Sequence, residues 1–291
     1  MPLTIEPKHP ALAAAVHGIR INGAVAESDH ASIQQAWLEH LVLVFPGQPI
    51  SDSEHIAFGK QFGTLEIHPS LAHRASHHRE IYRVSNVDEA DNLIPPSDSS
   101  WQYLSQSWRW HTDSSFRQIP SKGSILHGIE VTNEGGNTLF ANLYAAYDAL
   151  DNELRAEAEG RWVIHDHDHI LNLAARQAGR QHVGSYDTLP PVRHPLVRVH
   201  PVTGKKSLFL SPHTMSRVEG MNDVDGRALL DALISHATEE RFVYRHEWHP
   251  HDIVMWDNRC TMHSVEPFDN ATVRRIMHRV TLAGEEAPLP A

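Results

Sequence analysis

The segment Ser124-Ile125-Leu126-His127-Gly128-Ile129-Glu130-Val131 has a period of two. Ile125, His127, Ile129 and Val131 form one set of alternate positions, and Ser124, Leu126, Gly128 and Glu130 form the other. Such alternation predicts a β-strand whose two faces meet different surroundings. Working outward, further strands are predicted at residues 41–45, 196–200, 206–210, 241–248, 253–256 and 274–282. Helical spacing predicts one helix opening at Asp29 and others at 143–150, 153–159 and 223–236. Many short strands with few helices favour a mainly β domain, a barrel or jelly roll with flanking helices.

Two further segments complete the organisation. Ser51-Asp52-Ser53-Glu54 has the form of a capping box, so a second helix is predicted to follow it. Residues 85–107 are rich in Asp, Ser, Asn and Pro and show no regular period. Loops of this length inside a compact domain are usually functional. We therefore expect one domain over residues 1–291, with an active-site lid at 85–107.

Composition restricts the class of protein. The 291 residues include 25 Lys and Arg against 36 Asp and Glu, a net charge of −11, with 41% hydrophobic and 21% charged residues. These values are typical of a globular chain, and the acidic balance argues against a nucleic-acid partner, which needs a basic patch. No apolar run approaches the ~18 residues of a membrane span, and the single cysteine, Cys260, suits a reducing cytoplasm. We expect a cytoplasmic protein without a membrane partner; a homo-oligomer is left open.

Several catalytic motifs are missing or incomplete. The chain has no G-x-S-x-G elbow and no G-x-G-x-x-G, and Gly204-Lys205-Lys206-Ser207 lacks the upstream glycine of a phosphate-binding loop. His246-Glu247-Trp248-His249 is one residue short of the zinc-protease signature and lies in a strand-like segment. Serine hydrolases, nucleotide hydrolases and dinucleotide-dependent dehydrogenases are therefore disfavoured.

Histidine is unusually frequent, with 24 copies. In an extended segment, His165-Asp166-His167-Asp168-His169 would place its imidazoles on one face, where they could chelate a metal. The alternative is a strand end that runs into a polar, solvated loop. We favour that alternative, because adjacent imidazoles on one strand rarely complete a tetrahedral shell without other ligands.

Trp110-His111-Thr112-Asp113 carries the clearest chemical signal. In an extended segment the side chains of His111 and Asp113 point the same way and can bind one cation together. A second histidine from a distant strand would complete a facial triad, the arrangement of non-haem Fe(II) oxygenases, and His263 is well placed for it. Strand periodicity puts Arg275 and Arg279 on one face. If that face is buried, the two guanidiniums require anionic partners; if the strand is an exposed edge, they face solvent.

Taken together, these motifs resemble the taurine dioxygenase and chlorophenoxyacetate dioxygenase family. The resemblance runs in consistent order from about Leu41 to Ala283. Its main elements are Trp110-His111-Thr112-Asp113, Gly135-Gly136-Asn137-Thr138, Trp256-Asp257-Asn258-Arg259, His263 and the segment 274–279. Members of this family are Fe(II)- and 2-oxoglutarate-dependent dioxygenases, so the resemblance implies a double-stranded β-helix (jelly-roll) core with flanking helices.

The resemblance also implies roles for individual residues. By position in the motifs, His111, Asp113 and His263 would bind Fe(2+) as the catalytic metal site. Thr138 and Arg275 would hold the distal carboxylate of 2-oxoglutarate. Arg279 would bind the acidic end of the substrate or lie beside the cosubstrate. His68 matches a position that helps bind the sulfonate in taurine-type members.

The implied reaction couples O2 and the decarboxylation of 2-oxoglutarate to hydroxylation of a carbon next to a heteroatom. The substrate would be a small-molecule organic acid. Ser85-Asn86-Val87 resembles the phenoxyacetate branch, and the aromatic residues Trp101, Tyr103, Trp108 and Trp110 could stack on an aryl ring or simply pack in the core. An aryloxyalkanoate-like carboxylate is favoured. Two alternatives stay open: an alkylsulfonate dioxygenase, suggested by His68, and a non-catalytic metal-binding protein that uses the cluster at 165–169.

Overall fold

The computed structural model describes residues 2–67, 73–177, 179 and 189–291, and its largest sheet has seven strands. In spatial order these are β1 (Thr4–Pro7), β2 (Ala14–His17), β3 (Val42–Phe45), β13 (Ile253–Asp257), β5 (Gly123–Glu130), β15 (Ile276–Leu282) and β4 (Tyr82–Arg83). Neighbouring strands are antiparallel except β2 and β3, which are parallel. The alternating segment that predicted a strand is β5, which pairs with β13 on one side and β15 on the other.

Three smaller sheets and seven helices complete the described part of the chain. The sheets are β12 (Val243–His246), β6 (Thr138–Asn142) and β14 (Thr261–Val265); β11 (Met215–Val218), β7 (Trp162–His165) and β8 (Val192–Pro195); and β10 (Lys206–Leu208), β9 (Val197–Val199) and β16 (Leu289–Pro290). The helices are α1 (Glu27–His40), α2 (Asp52–Lys60), α3 (Ser99–Leu104), α4 (Leu143–Asp148), α5 (Asn152–Ala158), α6 (His167–Gln177) and α7 (Asp223–Ala237). Among the residues described, no helix has the length and apolar character needed to span a bilayer.

The core lies between the large sheet and the sheet β12–β6–β14. Leu126, Trp256 and Met277 of the large sheet are buried together with Phe140 of the smaller one. Helices α1 and α2 cover the opposite face of the large sheet, where buried apolar residues form a second cluster. Two sheets around a shared core, with helices outside, confirm the expected jelly-roll architecture.

Local signals in the sequence set several element ends correctly. Ser51 caps α2 in a capping box: its hydroxyl accepts from the Glu54 amide, and the Glu54 carboxylate accepts from the Ser51 amide. Helix α1 is an exception: it begins at Glu27, two residues before the predicted Asp29, and its N-cap Ala26 makes no side-chain hydrogen bond. The segment 85–107 is not a plain loop, since it contains α3 and most of a 3-10 turn at Ser105–Trp108.

Strand β15 shows the predicted separation of faces. Met277 packs with Phe140 in the inner core, whereas Val280 belongs to the outer cluster beneath the helices. His278 points outward as well, and its Nδ1 lies 2.7 Å from Asp52 Oδ1 on α2. Arg279 therefore faces inward, toward the space between the two sheets.

Two buried histidines lie behind the large sheet, and they predict acid sensitivity. The ring centroids of His55 on α2 and His127 on β5 are 6.1 Å apart. Burial, reinforced by repulsion from a neighbouring imidazole, lowers the pKa of His55 to about 3 and that of His127 to about 4. In the unfolded chain both titrate near 6.5. Below that pH the unfolded state binds more protons, so the free energy of unfolding falls as the pH drops from about 6.5 to about 4.

Denaturant unfolding of the ligand-free chain checks this expectation. The midpoint should be lower at about pH 5 than at about pH 7.5, and His127→Gln should reduce the difference because it removes one titrating group. Equal midpoints at the two pH values would contradict the assignment of these rings as buried and neutral.

Candidate active site

The main chain brings His111 and His263 side by side. His263 lies on β14, and His111 pairs with it through an isolated antiparallel bridge. The His111 amide donates to the His263 carbonyl at 2.9 Å, and the His263 amide donates to the His111 carbonyl at 2.8 Å. The two ring centroids are consequently only 4.1 Å apart.

Asp113 completes a compact group of donor atoms. Its Oδ1 lies 4.0 Å from Nε2 of His111 and 4.0 Å from Nε2 of His263. All three side chains are buried, and their donor atoms lie within 4.8 Å of one another. Two imidazoles and one carboxylate on a single side of a cation are the donor set of a facial triad. The residues present therefore fit a divalent metal of the iron type.

Neighbouring groups orient these donors. Nδ1 of His111 lies 2.9 Å from the Arg109 carbonyl, which accepts its proton and leaves the Nε2 lone pair for a metal. Ser124 Oγ donates to Asp113 Oδ2 at 2.8 Å. Burial lowers the pKa of both His111 and His263, so the rings are neutral, as metal ligands must be.

Arg279 compensates the charge of Asp113. Its Nη1 donates to Asp113 Oδ1 at 2.7 Å, and its guanidinium carbon lies 4.8 Å from the centre of the Tyr82 ring. Burial alone would raise the pKa of the Asp113 carboxyl, but the positive charge of Arg279, together with the hydrogen bond from Ser124, holds it well below its usual range. Asp113 is thus an anion, and Arg279 is anchored beside the triad with its Nε unpaired.

Among the described residues, Arg275 is a buried cation that has no counter-ion. Only 4% of its surface is exposed, and its Nη2 has no hydrogen-bond partner. Burial lowers the pKa of its guanidinium to about 10. A β-carbon at Gly136, where φ is +67°, would lie 3.3 Å from Arg275 Nε, so glycine keeps this space open. Burying an unpaired guanidinium is costly unless an anionic ligand binds it. Thr138, the other residue predicted to bind the cosubstrate carboxylate, lies two residues after Gly136 in the sequence.

His213 is a neighbour of the triad that the sequence reasoning missed. Its ring stacks on His111 with centroids 4.7 Å apart, and its buried Nδ1 has no hydrogen-bond partner. Burial lowers its pKa well below the usual value, so it too is a neutral imidazole. Only the excess of histidines hinted at such a residue, because Ser211-Pro212-His213 shows no motif or period.

With this geometry established, comparison with known proteins gives the family. Residues 4–281 match the family described as "Taurine catabolism dioxygenase TauD, TfdA family". The chain belongs to this family. The TauD/TfdA assignment agrees with the resemblance seen in the motifs and covers nearly the whole chain.

Relatives in the TauD/TfdA family share about a third of the sequence. The chain is 36% identical over 289 residues to the alpha-ketoglutarate-dependent 2,4-dichlorophenoxyacetate dioxygenase of Cupriavidus pinatubonensis, covering 97% of this chain and 98% of that relative. It is 34% identical over 293 residues to the (S)-phenoxypropionate/alpha-ketoglutarate-dioxygenase of Sphingobium herbicidovorans, covering 97% and 96%. The crystal structure of AAD-2 with Mn(II) and N-oxalylglycine matches with a TM-score of 0.88 at 34% identity and covers 100% of both chains. The chain is therefore a 2-oxoglutarate-dependent dioxygenase, an oxidoreductase.

Elsewhere in this TauD/TfdA dioxygenase, His200, Asp257 and Cys260 also gather potential ligand atoms. Both nitrogens of His200 are engaged, since Nδ1 accepts from the Val202 and Thr203 amides and Nε2 lies 3.1 Å from Asp257 Oδ2. Arg259 binds both oxygens of Asp257, at 2.9 and 2.7 Å. His200 and Asp257 are therefore engaged in an ion-pair network, and burial raises the pKa of the Cys260 thiol well above its usual value, so the cluster is poorly suited to a metal.

The histidine cluster at 165–169 does not assemble. His165 ends β7 and His167 begins α6, so the segment turns from strand to helix instead of staying extended. His165 is buried, with Nδ1 2.9 Å from the Thr214 hydroxyl. Among the described residues this cluster provides no group of metal-binding atoms, which removes the structural support for a non-catalytic metal-binding protein built on it.

The remaining predicted residues have different surroundings. His68 lies outside the described residues. Trp101 and Trp108 pack against Phe268, with ring centroids 5.8 and 6.2 Å from it, and Phe268 lies 5.9 Å from the Arg275 guanidinium. Tyr103 stacks on His73 at 5.6 Å, and His73 also meets Tyr82 at 5.7 Å. The aromatic residues Trp101, Tyr103 and Trp108 thus divide between the surroundings of Arg275 and those of Arg279.

Proposed function

We propose that this chain is an Fe(II)-dependent member of the family that hydroxylates an aryloxyalkanoate at the carbon beside its ether oxygen. The proposed substrate class rests on the position of Arg279, which lies between the Asp113 carboxylate and the face of the Tyr82 ring. An organic acid bound there would have its anionic group on a cation and its apolar part against aromatic side chains.

Each polar group near the triad has a task in this proposal. His111, Asp113 and His263 hold Fe(II), and Arg275 with Thr138 binds the distal carboxylate of 2-oxoglutarate. When bound, iron and 2-oxoglutarate together supply the oxidising chemistry that activates O2. The buried and unpaired state of Arg275 supports its role, because a carboxylate would satisfy both its charge and its free Nη2.

The aromatic side chains beside Arg279 support an aryl substrate. Tyr82, His73 and Tyr103 form a continuous set of ring contacts that begins 4.8 Å from the Arg279 guanidinium. Aryl rings pack against such sets by offset stacking or edge contacts. Burial of Tyr82 and His73 keeps water away from this side of the site.

The stoichiometry of the proposed reaction is balanced. One oxygen atom of O2 enters succinate as 2-oxoglutarate loses CO2, and the other becomes a hydroxyl on the carbon beside the ether oxygen. The resulting hemiacetal breaks its carbon–oxygen bond and releases a phenol and a 2-oxo acid. We also propose that residues 1–291 act as one domain in which 85–107 serves as the lid. Helix α3 supports this role, because Trp101 packs on Phe268 beside Arg275 and Tyr103 stacks on His73, which meets the Tyr82 ring beside Arg279.

A substrate comparison tests this function. With Fe(II), 2-oxoglutarate and O2, phenoxyacetate should yield phenol and succinate in equal amounts, and taurine should be turned over at least about tenfold less efficiently because it lacks the aryl ring. Faster turnover of taurine would favour the alkylsulfonate alternative. Succinate release that neither acid increases would contradict the proposed substrate class.

A further inference from the structure

A second group of metal-binding side chains lies where β12 turns into β13. Nε2 of His246 is 3.5 Å from Oδ2 of Asp252, and Nδ1 of His249 is 3.5 Å from the same oxygen. The two histidines belong to the segment His246-Glu247-Trp248-His249, which fails as a helical zinc motif because β12 ends at His246. None of them takes part in the triad.

The two distances are too long for good hydrogen bonds and suit a shared ion. Donor–acceptor distances in protein hydrogen bonds are mostly below about 3.2 Å. Two ligands about 2.1 Å from a tetrahedral Zn²⁺ ion lie about 3.4 Å apart. Asp252 Oδ2 therefore lies from each imidazole nitrogen at the separation expected of two atoms that bind one ion. The three donor atoms do not all lie within 4.8 Å of one another in the structure, so the two imidazoles have to converge to share the ion.

His246 provides the observation that points to a ligand. It is only 4% exposed, and its Nε2 is buried without a hydrogen-bond partner in the part of the chain that the structure describes. Its Nδ1 lies 3.2 Å from the Tyr244 hydroxyl. When Nδ1 donates its proton to that hydroxyl, Nε2 presents a bare lone pair to the Asp252 carboxylate, an arrangement that a cation stabilises.

The carboxylate is held in place and keeps its charge. Asp252 is 3% exposed; its Oδ1 accepts from the Gly47 amide at 3.1 Å and its Oδ2 from the His249 amide at 3.0 Å. Within hydrogen-bond distance, its described partners are amides and no guanidinium or ammonium neutralises it, in contrast to Asp257. These amide contacts orient the carboxylate, as second-sphere groups do in metal sites.

The surrounding pocket has room for an ion and its water ligands. It has a volume of about 500 Å³, and Lys8, His17 and Glu247 also line it. The His249 side chain is 80% exposed and free to rotate toward the ion. Arg245, the other cation at this pocket, pairs with Glu247 and Glu266.

We propose that His246, His249 and Asp252 bind a zinc-class divalent ion, with water completing the coordination. Imidazole and carboxylate ligands suit Zn²⁺, whose structural sites are usually four-coordinate. The ion would tie the turn between β12 and β13 to the loop after β3, because Asp252 also holds Gly47. Its role is structural and separate from the dioxygenase reaction.

Zinc counting by equilibrium dialysis at neutral pH tests the site. Wild-type protein should bind two Zn²⁺ ions per chain, one at the triad and one here. The double variant His111→Ala/His263→Ala should keep one ion, and adding His249→Ala should weaken its binding at least about tenfold. Because His249 is exposed, that replacement leaves the packing intact, and Asp252→Asn should weaken the ion further. His40→Ala, a histidine outside the pocket, serves as the matched control.

Two results would overturn the proposal. The first is a double variant that binds no zinc at concentrations that load the triad of the wild type. The second is a bound ion whose dissociation constant is unchanged by both His249→Ala and Asp252→Asn. A rise in Tm with zinc that is present in the double variant and absent after His249→Ala would provide independent support.

Discussion

Asp113→Ala should lower kcat/KM by at least about 10³-fold, because the variant loses the one anionic ligand of the triad and with it several kcal/mol of metal stabilisation. The loss should also leave Arg279 without its carboxylate partner at 2.7 Å. Breaking one side of a buried ion pair costs about 3–5 kcal/mol, so the metal-free variant should unfold at a lower temperature than the metal-free wild type.

Ser124→Ala is the matched control for this variant. It removes the hydroxyl that donates to Asp113 Oδ2 but keeps the carboxylate itself. Loss of such a supporting contact usually costs about 10-fold to 100-fold in metal affinity or activity. Anaerobic titration with Fe(II) and 2-oxoglutarate, followed by the visible charge-transfer band, separates the cases. Near-normal activity in Asp113→Ala would remove the residue from the ligand set.

Arg275→Met should raise the KM for 2-oxoglutarate by about 30-fold to 4,000-fold, since breaking a buried charge-assisted pair costs about 2–5 kcal/mol. Methionine fills most of the same volume beside Phe268 without the charge. In the absence of 2-oxoglutarate this variant should unfold at a temperature equal to or above that of the wild type, because a buried cation without a counter-ion has been removed.

The thermal shift caused by the cosubstrate gives a second measurement. With metal present, 2-oxoglutarate should raise the Tm of the wild type and leave that of Arg275→Met nearly unchanged. Arg274→Met is the control, since the neighbouring Arg274 is partly exposed and pairs with Asp91 and Glu130 at the surface. An unaltered KM in Arg275→Met would mean that the distal carboxylate binds elsewhere.

Much of this fold could be predicted from local signals. The alternation in β5, the capping box at Ser51 and the hairpin formed by β9 and β10 depend on neighbours in sequence, and each is present in the structure. The structure brings together the three residues predicted to bind the metal, and their role as ligands stays a prediction. The spacing of His111 and Asp113 alone is weak evidence. It became specific only through the ordered motifs around it, which carry information about the whole family.

Other features depend on contacts that no local pattern records. His213 reaches His111 from a loop about a hundred residues further along the chain, and only the folded chain brings the two rings together. The turn from strand to helix at 165–169 was missed because alternating His and Asp has no decisive period. Helix α3 was missed for a similar reason, since its six residues are too few for a helical repeat to show.

The reciprocal amide bonds between His111 and His263 link the chemistry of this enzyme to the opening of its sheet. The spacing of the two imidazoles is fixed by main-chain hydrogen bonds of 2.9 and 2.8 Å, not by side-chain packing alone. Any fluctuation that exposes these two amides to solvent exchange also separates the rings. A metal held by these two rings, as proposed above, would be released whenever β14 unfolds locally, and amide exchange at these positions measures how often that opening occurs.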